Sequence, residues 1–317
     1  MSVVPHVPVG TKSARRARSA IVRRERNWGL IFLAPWIVGF VLFYAGPMIA
    51  SLIFSFTAFD LVQPEKTRFV GFDNWSRMLT DPVVRRALLV TLRFVIIAVP
   101  LQLGLALLFA VLLNSRYLFG SRFFRTLFFM PMMVPFVAST LIWMTVFNTQ
   151  TGWINMMLQA IGLPGPDWKN DSRWVLPLLA IIGTWGVGNA MLILLAGLQG
   201  VPTELYEAAR VDGAGPVYSF FRITIPLISP VLFYNLVLGV IGAFQYFLQA
   251  YVIYNSNSGP NDAALFYMFY LYKQAFVYFN MGYASTLAWG MFIVALLVTL
   301  GLFRAAQRWV YYAGGEA

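Results

Sequence analysis

The chain has 317 residues, 59% of them apolar or aromatic and 11% charged, with a formal net charge of +11 and no cysteine. Such apolarity excludes a soluble domain of this size and points to a polytopic membrane protein, while the missing cysteine excludes disulfides and thiolate metal or redox sites. The one histidine, His6, sits in an expected tail, and the positive charges cluster beside apolar runs as orientation signals do, which argues against imidazole chemistry and against a nucleic-acid partner.

A helix needs about 20 mostly apolar residues to cross the bilayer core. The expected fold is therefore all-α, a polytopic membrane protein with six transmembrane helices. They are Gly29–Phe59, Ala87–Leu113, Phe123–Phe147, Trp174–Leu198, Leu227–Tyr254 and Tyr283–Phe303. Residues 1–28 precede them as a basic tail, expected to be unstructured, with Lys12, Arg15, Arg16, Arg18, Arg23, Arg24 and Arg26 against Glu25. The long basic part, the long apolar run and the lack of a small-residue cleavage site favour an uncleaved first span over a secretory signal. Gly10-Thr11-Lys12-Ser13 lacks the earlier glycine and the preceding strand of a phosphate loop, so no nucleotide site is expected there. Internal prolines such as Pro35, Pro47, Pro100, Pro131 and Pro135 do not exclude helices, because neighbours satisfy the freed carbonyls.

The connections carry the orientation. Leu61–Arg86 mixes five basic and three acidic residues, which suits the outside. Arg116, Arg122 and Arg125 lie on the second-to-third connection, which has no acid, and Arg304 and Arg308 lie at the end of the chain. With the basic tail they alternate correctly to share the cytoplasmic side. Both termini are then cytoplasmic. Ala264–Phe279 is apolar but short and carries Lys273, so an interfacial or re-entrant helix at the outer surface is expected. The membrane domain spans 29–311, and 312–317 form a C-terminal tail.

No span has an acid in its middle, which weakens an ion-coupled reading. Arg93 lies about six residues, roughly 9 Å, inside the second span. It is expected to snorkel to the outer interface, with an aqueous path as the alternative.

A polar insert, 200–226, separates spans four and five, and parity places it on the cytoplasmic side. Thr203 is a reasonable N-cap, and Glu204 favours the positive end of the helix dipole. Glu207 and Arg210 are spaced to pair. Asp212-Gly213 then ends the helix, with Gly213 able to take φ > 0. Pro216 suits the first turn of a second short helix, Val217–Ile223. A helix–turn–helix at the cytoplasmic surface is expected, presented to a partner.

The insert resembles the signature loop of permease subunits of ATP-binding-cassette importers. That pattern is Glu-Ala-Ala, a glycine four positions on, and Ile-x-Leu-Pro ten positions later. Here it reads Glu207-Ala208-Ala209, Gly213 and Ile223-Thr224-Ile225-Pro226, with Ile225 for leucine the only departure. The likeness extends over roughly Leu30 to Phe303, through stretches such as FVGFDNWSRMLTDP, FRTLFFMPMMVPFVASTLIWMTVFN and MGYASTLAWGMF. It best suits the carbohydrate-uptake subfamily of maltose and glycerol-phosphate type, and the first of its two paired permeases.

The resemblance implies a set of partners: a second similar permease, two ATPase subunits beneath, an extracytoplasmic solute-binding protein, and membrane lipid around the bundle. It implies no cofactor in this chain, with ATP and Mg in the partner subunits, and no catalytic or metal residue. Glu207, Ala208, Ala209, Arg210, Asp212 and Gly213 are then the residues that couple to an ATPase. The stretch Phe244–Phe247 falls, by the same resemblance, in the fifth-span region that lines the sugar site.

Polar residues inside spans mark candidate solute paths. The fourth span offers Trp185 and Asn189, among Gly183, Gly186 and Gly188. The fifth offers Asn235, Gln245, Tyr246 and Gln249. Amides supply donors and acceptors together, and aromatic faces stack on sugar rings, which suits a neutral sugar or polyol better than an ion. Bonding across helices is the alternative use of the same amides. A stand-alone secondary transporter and a membrane scaffold or sensor are the rival functions.

Overall fold

The structure, a computed structural model, describes residues 11–115 and 118–311. His6, Gly10, Arg116 and the C-terminal tail 312–317 lie outside the described residues, as do the side chains at 11–22, 24 and 26. The chain divides into two units, Met1–Phe54 and Ser55–Ala317.

The first unit is helical. α1 (Thr11–Phe40) passes through a wide π turn, Val41–Ala45, into α2 (Gly46–Phe54). The segment expected as an unstructured tail is thus helical from Thr11. Its Ala- and Arg-rich sequence has no proline or glycine before Gly29, which favours helix. Trp28, Phe32, Trp36, Phe40 and Tyr44 recur every four residues. Trp36 stacks on Phe40 at 5.5 Å and Phe40 on Tyr44 at 6.1 Å. The wide turn is closed by Gly46 N–H donating to the Val41 carbonyl, just before Pro47. Widening the turn relieves the clash of the proline ring with the preceding turn.

The second unit begins with Thr57 and Phe69 in an isolated antiparallel bridge, followed by α3 (Asp73–Thr80). α4 (Pro82–Asn114) is its central post. Asp81 caps it by accepting from Val83 N–H at 2.8 Å, and Pro82 occupies the first turn. α8 (Ser172–Gly183), α9 (Gly188–Gln199) and α12 (Ile225–Phe244) pack along α4. The fully buried Ala106 and Ala110 of α4 let backbones approach there, against Met191, Leu194 and Ile228. A second cluster, around Phe94, Phe244, Phe266 and Leu287, fills the other half of the unit.

Three expected spans are broken. In place of one helix over Phe123–Phe147, α5 (Ser121–Phe129) and a 3-10 turn, Met130–Met133, meet α6 (Phe136–Val146) at 104°. Val134, before Pro135, lies outside the helical region at φ −78°, ψ 129°, a conformation that a following proline favours. The fourth expected span bends by 56° between α8, extended by the 3-10 turn Thr184–Gly186, and α9. Between α6 and α8 lies a further short helix, α7 (Trp153–Ala160).

The helix expected over Val217–Ile223 is not separate. After α10 (Thr203–Val211), α11 (Pro216–Ser219) runs through a wide π turn, Phe220–Thr224, straight into α12, with Pro226 two residues past the turn as Pro47 is in the first unit. The break comes instead at Gln245–Phe247, before α13 (Leu248–Ile253); Phe247 has φ −161°, ψ −27°. α14 (Tyr267–Tyr272) and the wide turn Lys273–Val277 together reach about 16 Å, too short to cross a bilayer core. α15 (Met281–Ala306) closes the unit.

Four helical stretches are long and apolar enough to cross a membrane: Asn27–Phe54, Pro82–Asn114, Pro216–Ile253 and Met281–Ala306. Each of the two bent pairs passes the same test when taken together. Among the described residues the structure is a helical polytopic membrane protein without a strand.

Candidate functional site

Two regions carry the residues singled out by the sequence. The first is α10 and its turn. Pro202 stands at the N-cap position and no side chain caps the helix, so Thr203 begins the helix rather than capping it. Glu204 lies in the first turn, as expected. Glu207 and Arg210 form no ion pair among the described residues; Arg210 Nε instead leans on the Tyr206 carbonyl at 3.4 Å.

The helix ends in a Schellman motif. Ala214 N–H donates to the Ala209 carbonyl at 2.8 Å and Gly213 N–H to the Arg210 carbonyl at 3.1 Å. Gly213 has φ +79°, a region costly for a residue with a Cβ, although a Cβ there would meet nothing within 4 Å. Glycine is needed here for its backbone, not for space. Glu207, Ala208, Arg210, Asp212 and Gly213 are exposed, whereas Ala209 is half-buried. Val211 is 89% exposed, so the tip presents apolar as well as charged groups.

The sequence did not reveal how this tip is held. The Tyr206 and Thr224 hydroxyls are 2.8 Å apart and hydrogen-bonded, which ties α10 to the wide turn that leads into α12. Both residues lie inside the signature stretch, but a contact across 18 positions has no local periodic signal. Tyr206, Arg210, Phe220 and Phe221 also line a mostly apolar hollow of about 610 Å³.

The second region is the set of helix breaks. Trp185 sits in the 3-10 turn of the bent pair α8–α9 and Asn189 in the first turn of α9, both exposed. Trp185 meets Trp143 of α6 edge-on at 5.3 Å. A Cβ on Gly188 would lie 2.3 Å from the Phe128 carbonyl, so this glycine lets the bend of α8–α9 rest on α5. Gln245 and Tyr246 fall within the break of the fifth expected span, and Gln249 in α13 just after it. Gln245 is exposed. Tyr246 stacks obliquely on Phe94 at 4.3 Å and Phe266 at 5.0 Å. Its hydroxyl is buried and has no hydrogen-bond partner among the described residues. Asn235, by contrast, donates to the Val231 carbonyl of its own helix at 2.9 Å.

Beside the breaks lies a cavity of about 340 Å³. Trp143 and Phe147 of the third expected span, Leu178 and Ile182 of α8, and Ile253 of α13 form its apolar walls. Asn148, Thr149, Gln150, Asp167, Lys169 and Asn170 form its polar rim. None of the expected path residues lines it, although Trp185 abuts it through Trp143. The rim was missed because it lies between spans, where polar residues are ordinary. Burial pushes the Asp167 carboxyl up, but hydrogen bonds from Asn170, Thr149 and two backbone N–H groups outweigh this and hold it below the usual carboxylate value. The rim is fixed by Asn155, 1% exposed. It accepts from Trp168 Nε1 at 2.7 Å and donates to the carbonyls of Thr149 and Pro166.

Comparison with known proteins gives a consistent picture. A family model described as "Binding-protein-dependent transport system inner membrane component" matches residues 102–311. The probable ABC transporter permease protein YesP of Bacillus subtilis (strain 168) is 40% identical over 310 residues, covering 97% of this chain and 98% of that protein. The arabinooligosaccharides transport system permease protein AraP of the same organism is 33% identical, over 85% of each chain. A chain in the crystal structure of a bacterial alginate ABC transporter, in complex with an alginate pentasaccharide-bound periplasmic protein, has the same fold. Its TM-score is 0.74 at 22% identity, over 90% of this chain and 96% of that one. A permease identity thus accounts for both the exposed signature tip and the broken spans: the chain belongs to the family of inner membrane components of binding-protein-dependent transport systems.

Proposed function

We propose that this chain is a permease subunit of an ATP-driven importer that moves a sugar or related polyol across the cytoplasmic membrane by alternating access. The observation that carries the reading is mechanical. The exposed signature tip, Glu207–Gly213, is tied by the Tyr206–Thr224 bond to one continuous helical stretch, Pro216–Phe244, which is long and apolar enough to cross a membrane and leads to the break at Gln245–Phe247. A push on the tip therefore reaches the break through helix rather than through loop, which suits a rigid-body switch of access. The permease relatives, one named for arabinooligosaccharides, support a saccharide solute. Interrupted helices are where transporters build solute sites, because freed backbone groups can line a cavity.

In this reading each bent pair is one span, which makes six, with both termini cytoplasmic. The permease domain is 29–311, flanked by tails 1–28 and 312–317, and residues 200–226 form the cytoplasmic coupling loop. Glu207, Ala208, Ala209, Arg210, Asp212 and Gly213 contact an ATPase subunit. Trp185, Asn189, Gln245, Tyr246 and Gln249 line the solute path. The assembly has a second permease, two ATPase subunits that hold ATP and Mg, and a solute-binding protein outside; this chain performs no covalent chemistry.

The test is solute-stimulated ATPase and uptake by the reconstituted complex with its binding protein, across a panel of sugars, for wild type and Gly213→Trp. Stimulation by one sugar, with stimulation and uptake lost in an assembled Gly213→Trp complex, is expected. Unchanged uptake in that variant would remove the coupling role, and flux through the lone chain would remove the importer reading.

A further inference from the structure

The strongest unassigned feature is a groove of about 820 Å³ between the first turns of α4, the first turns of α8 and the loop 261–263. On α4 its wall is a stripe at helical spacing, Pro82, Arg86, Leu89, Arg93 and Ile97, with Arg85 and Val90 beside it. α8 contributes Ser172, Arg173, Leu176 and Pro177. Four arginines line the groove against one carboxylate, Asp262.

That carboxylate is already engaged. Arg86 pairs with Asp262, which also accepts from the Ser258 hydroxyl. Arg173 is held by Asp171, with Nη2 donating to Oδ2 at 2.8 Å. Arg85 and Arg93 are exposed and have no ion-pair partner among the described residues. Arg93 lies about 12 Å along the helix from Arg85, at the start of the apolar run Phe94–Leu101. A cation at that depth is costly unless it is neutralised or reaches the interface.

Polarity changes along the groove. Its mouth is cationic, from Arg85, Arg86 and Arg173. Its deeper wall is mostly apolar, from Leu89, Val90, Ile97 and Leu176 with Arg93 set among them, and Ile96 next to it is 71% exposed. An occupant with a negative head and a hydrocarbon tail matches this order.

We propose that this groove binds an anionic phospholipid, its phosphodiester held by Arg85 and Arg93 and an acyl chain running on past Arg93 along Ile97. The groove stands apart from the proposed solute path. None of its residues belongs to the helix breaks, and Phe94, next to Arg93, points the other way, into the core against Tyr246 and Phe266. Guanidinium forks suit phosphate oxygens, and the two ion pairs already present hold the mouth open in a defined shape.

The test compares wild-type complex with Arg85→Gln/Arg93→Gln, each purified with its co-expressed partners. Native mass spectrometry and lipid extraction report bound phospholipid. Thermal midpoints are read in nanodiscs of phosphatidylcholine with and without phosphatidylglycerol. Wild type is expected to retain phosphatidylglycerol and to gain midpoint from it, and the double variant to retain about tenfold less or lower still. Arg85→Lys/Arg93→Lys, which keeps the charge but loses the guanidinium forks, should retain more than the Gln variant and less than wild type. If the double variant fails to assemble, the single Arg85→Gln change at the exposed mouth gives the same comparison.

Equal retention by wild type and the Gln variants would overturn the proposal. So would a midpoint gain of the same size from soluble glycerol phosphate, which would make the site one for a free anion. Loss of binding-protein affinity with lipid retention unchanged would assign the arginines to a protein partner and equally overturn it. Each readout is independent of transport, so failure here is distinct from failure of the importer reading.

Discussion

Tyr283 of α15 donates its hydroxyl to Asp81 at 2.9 Å, across 202 positions of sequence. Tyr270 of α14 donates to the same oxygen at 2.8 Å, and Asp81 also caps α4. One carboxylate thus joins a membrane post, a short packed helix and the last span. Burial pushes the Asp81 carboxyl up, but the bonds from Tyr270, Val83 N–H, Tyr283 and Val84 N–H outweigh it and hold it below 3.8.

Asp81→Ala should therefore lower the stability of the assembled complex by about 2 kcal/mol or more, because it removes a cap and leaves the hydroxyls of two buried tyrosines without this acceptor. Asp81→Asn keeps an acceptor and should lose less. A folded-state value below the unfolded one means the stabilisation is present above about pH 4 and is lost as pH falls through the folded value. The thermal midpoint of wild type should fall across that window, and Asp81→Asn should flatten this part of the profile. Identical acid profiles for the two would contradict the role assigned to Asp81.

Tyr246→Phe separates a packing role from a solute role. The hydroxyl is buried without a partner, so its removal should leave the thermal midpoint unchanged or slightly raised. If the solute or a water bound to it uses this hydroxyl, KM for uptake should rise by about tenfold, the loss of roughly one hydrogen bond. Unaltered uptake kinetics would take Tyr246 out of the path.

Two glycines three residues after Gly183 and five after it should differ sharply. Gly188→Ala forces a Cβ to 2.3 Å from the Phe128 carbonyl, a backbone atom that cannot swing aside. A loss of about 2 kcal/mol or more is expected, seen as reduced yield of assembled complex. Gly186→Ala meets nothing within 4 Å and should assemble normally. Equal yields would show that the bend of α8–α9 does not rest on α5 as described.

Gly213→Ala and Gly213→Asn test the turn by its backbone alone. Alanine at φ +79° should cost about 1–2 kcal/mol, and asparagine, which tolerates the left-handed region, less. Coupling measured as uptake per ATP hydrolysed should follow the order Gly, Asn, Ala. An alanine variant as well coupled as wild type would show that the left-handed turn is not required.

Asn155→Ala should loosen the rim of the 340 Å³ cavity. It leaves Trp168 Nε1 and two carbonyls without partners inside a segment that crosses from α6 to α8. Limited proteolysis within 148–171 should accelerate in the variant, and Asn155→Asp, which keeps only the acceptor, should be intermediate. No change in cleavage would mean that Asn155 does not fix the rim.

Sequence alone was enough for the class, the apolar runs and the signature. Hydrocarbon-compatible runs must be helical because backbone groups find no water there, so length and apolarity fix where helices lie without any tertiary information. Gly213 was legible as a positive-φ turn because the requirement is local to its own backbone. The chain's own order could not show where those helices break. Pro135 and the glycines around Trp185 are tolerated within straight membrane helices as readily as at bends. Whether they bend depends on what they rest against, and here the Gly188 backbone abuts the Phe128 carbonyl. The continuity of the loop helix with the fifth span was equally hidden, since nothing local in the sequence marks the wide turn that carries the helix into the segment holding Pro226. Tertiary structure alone decided the arginine groove, the Tyr206–Thr224 tie and the convergence on Asp81. Each joins residues whose distance in sequence far exceeds a helical turn, and such contacts are set by packing, not by periodicity.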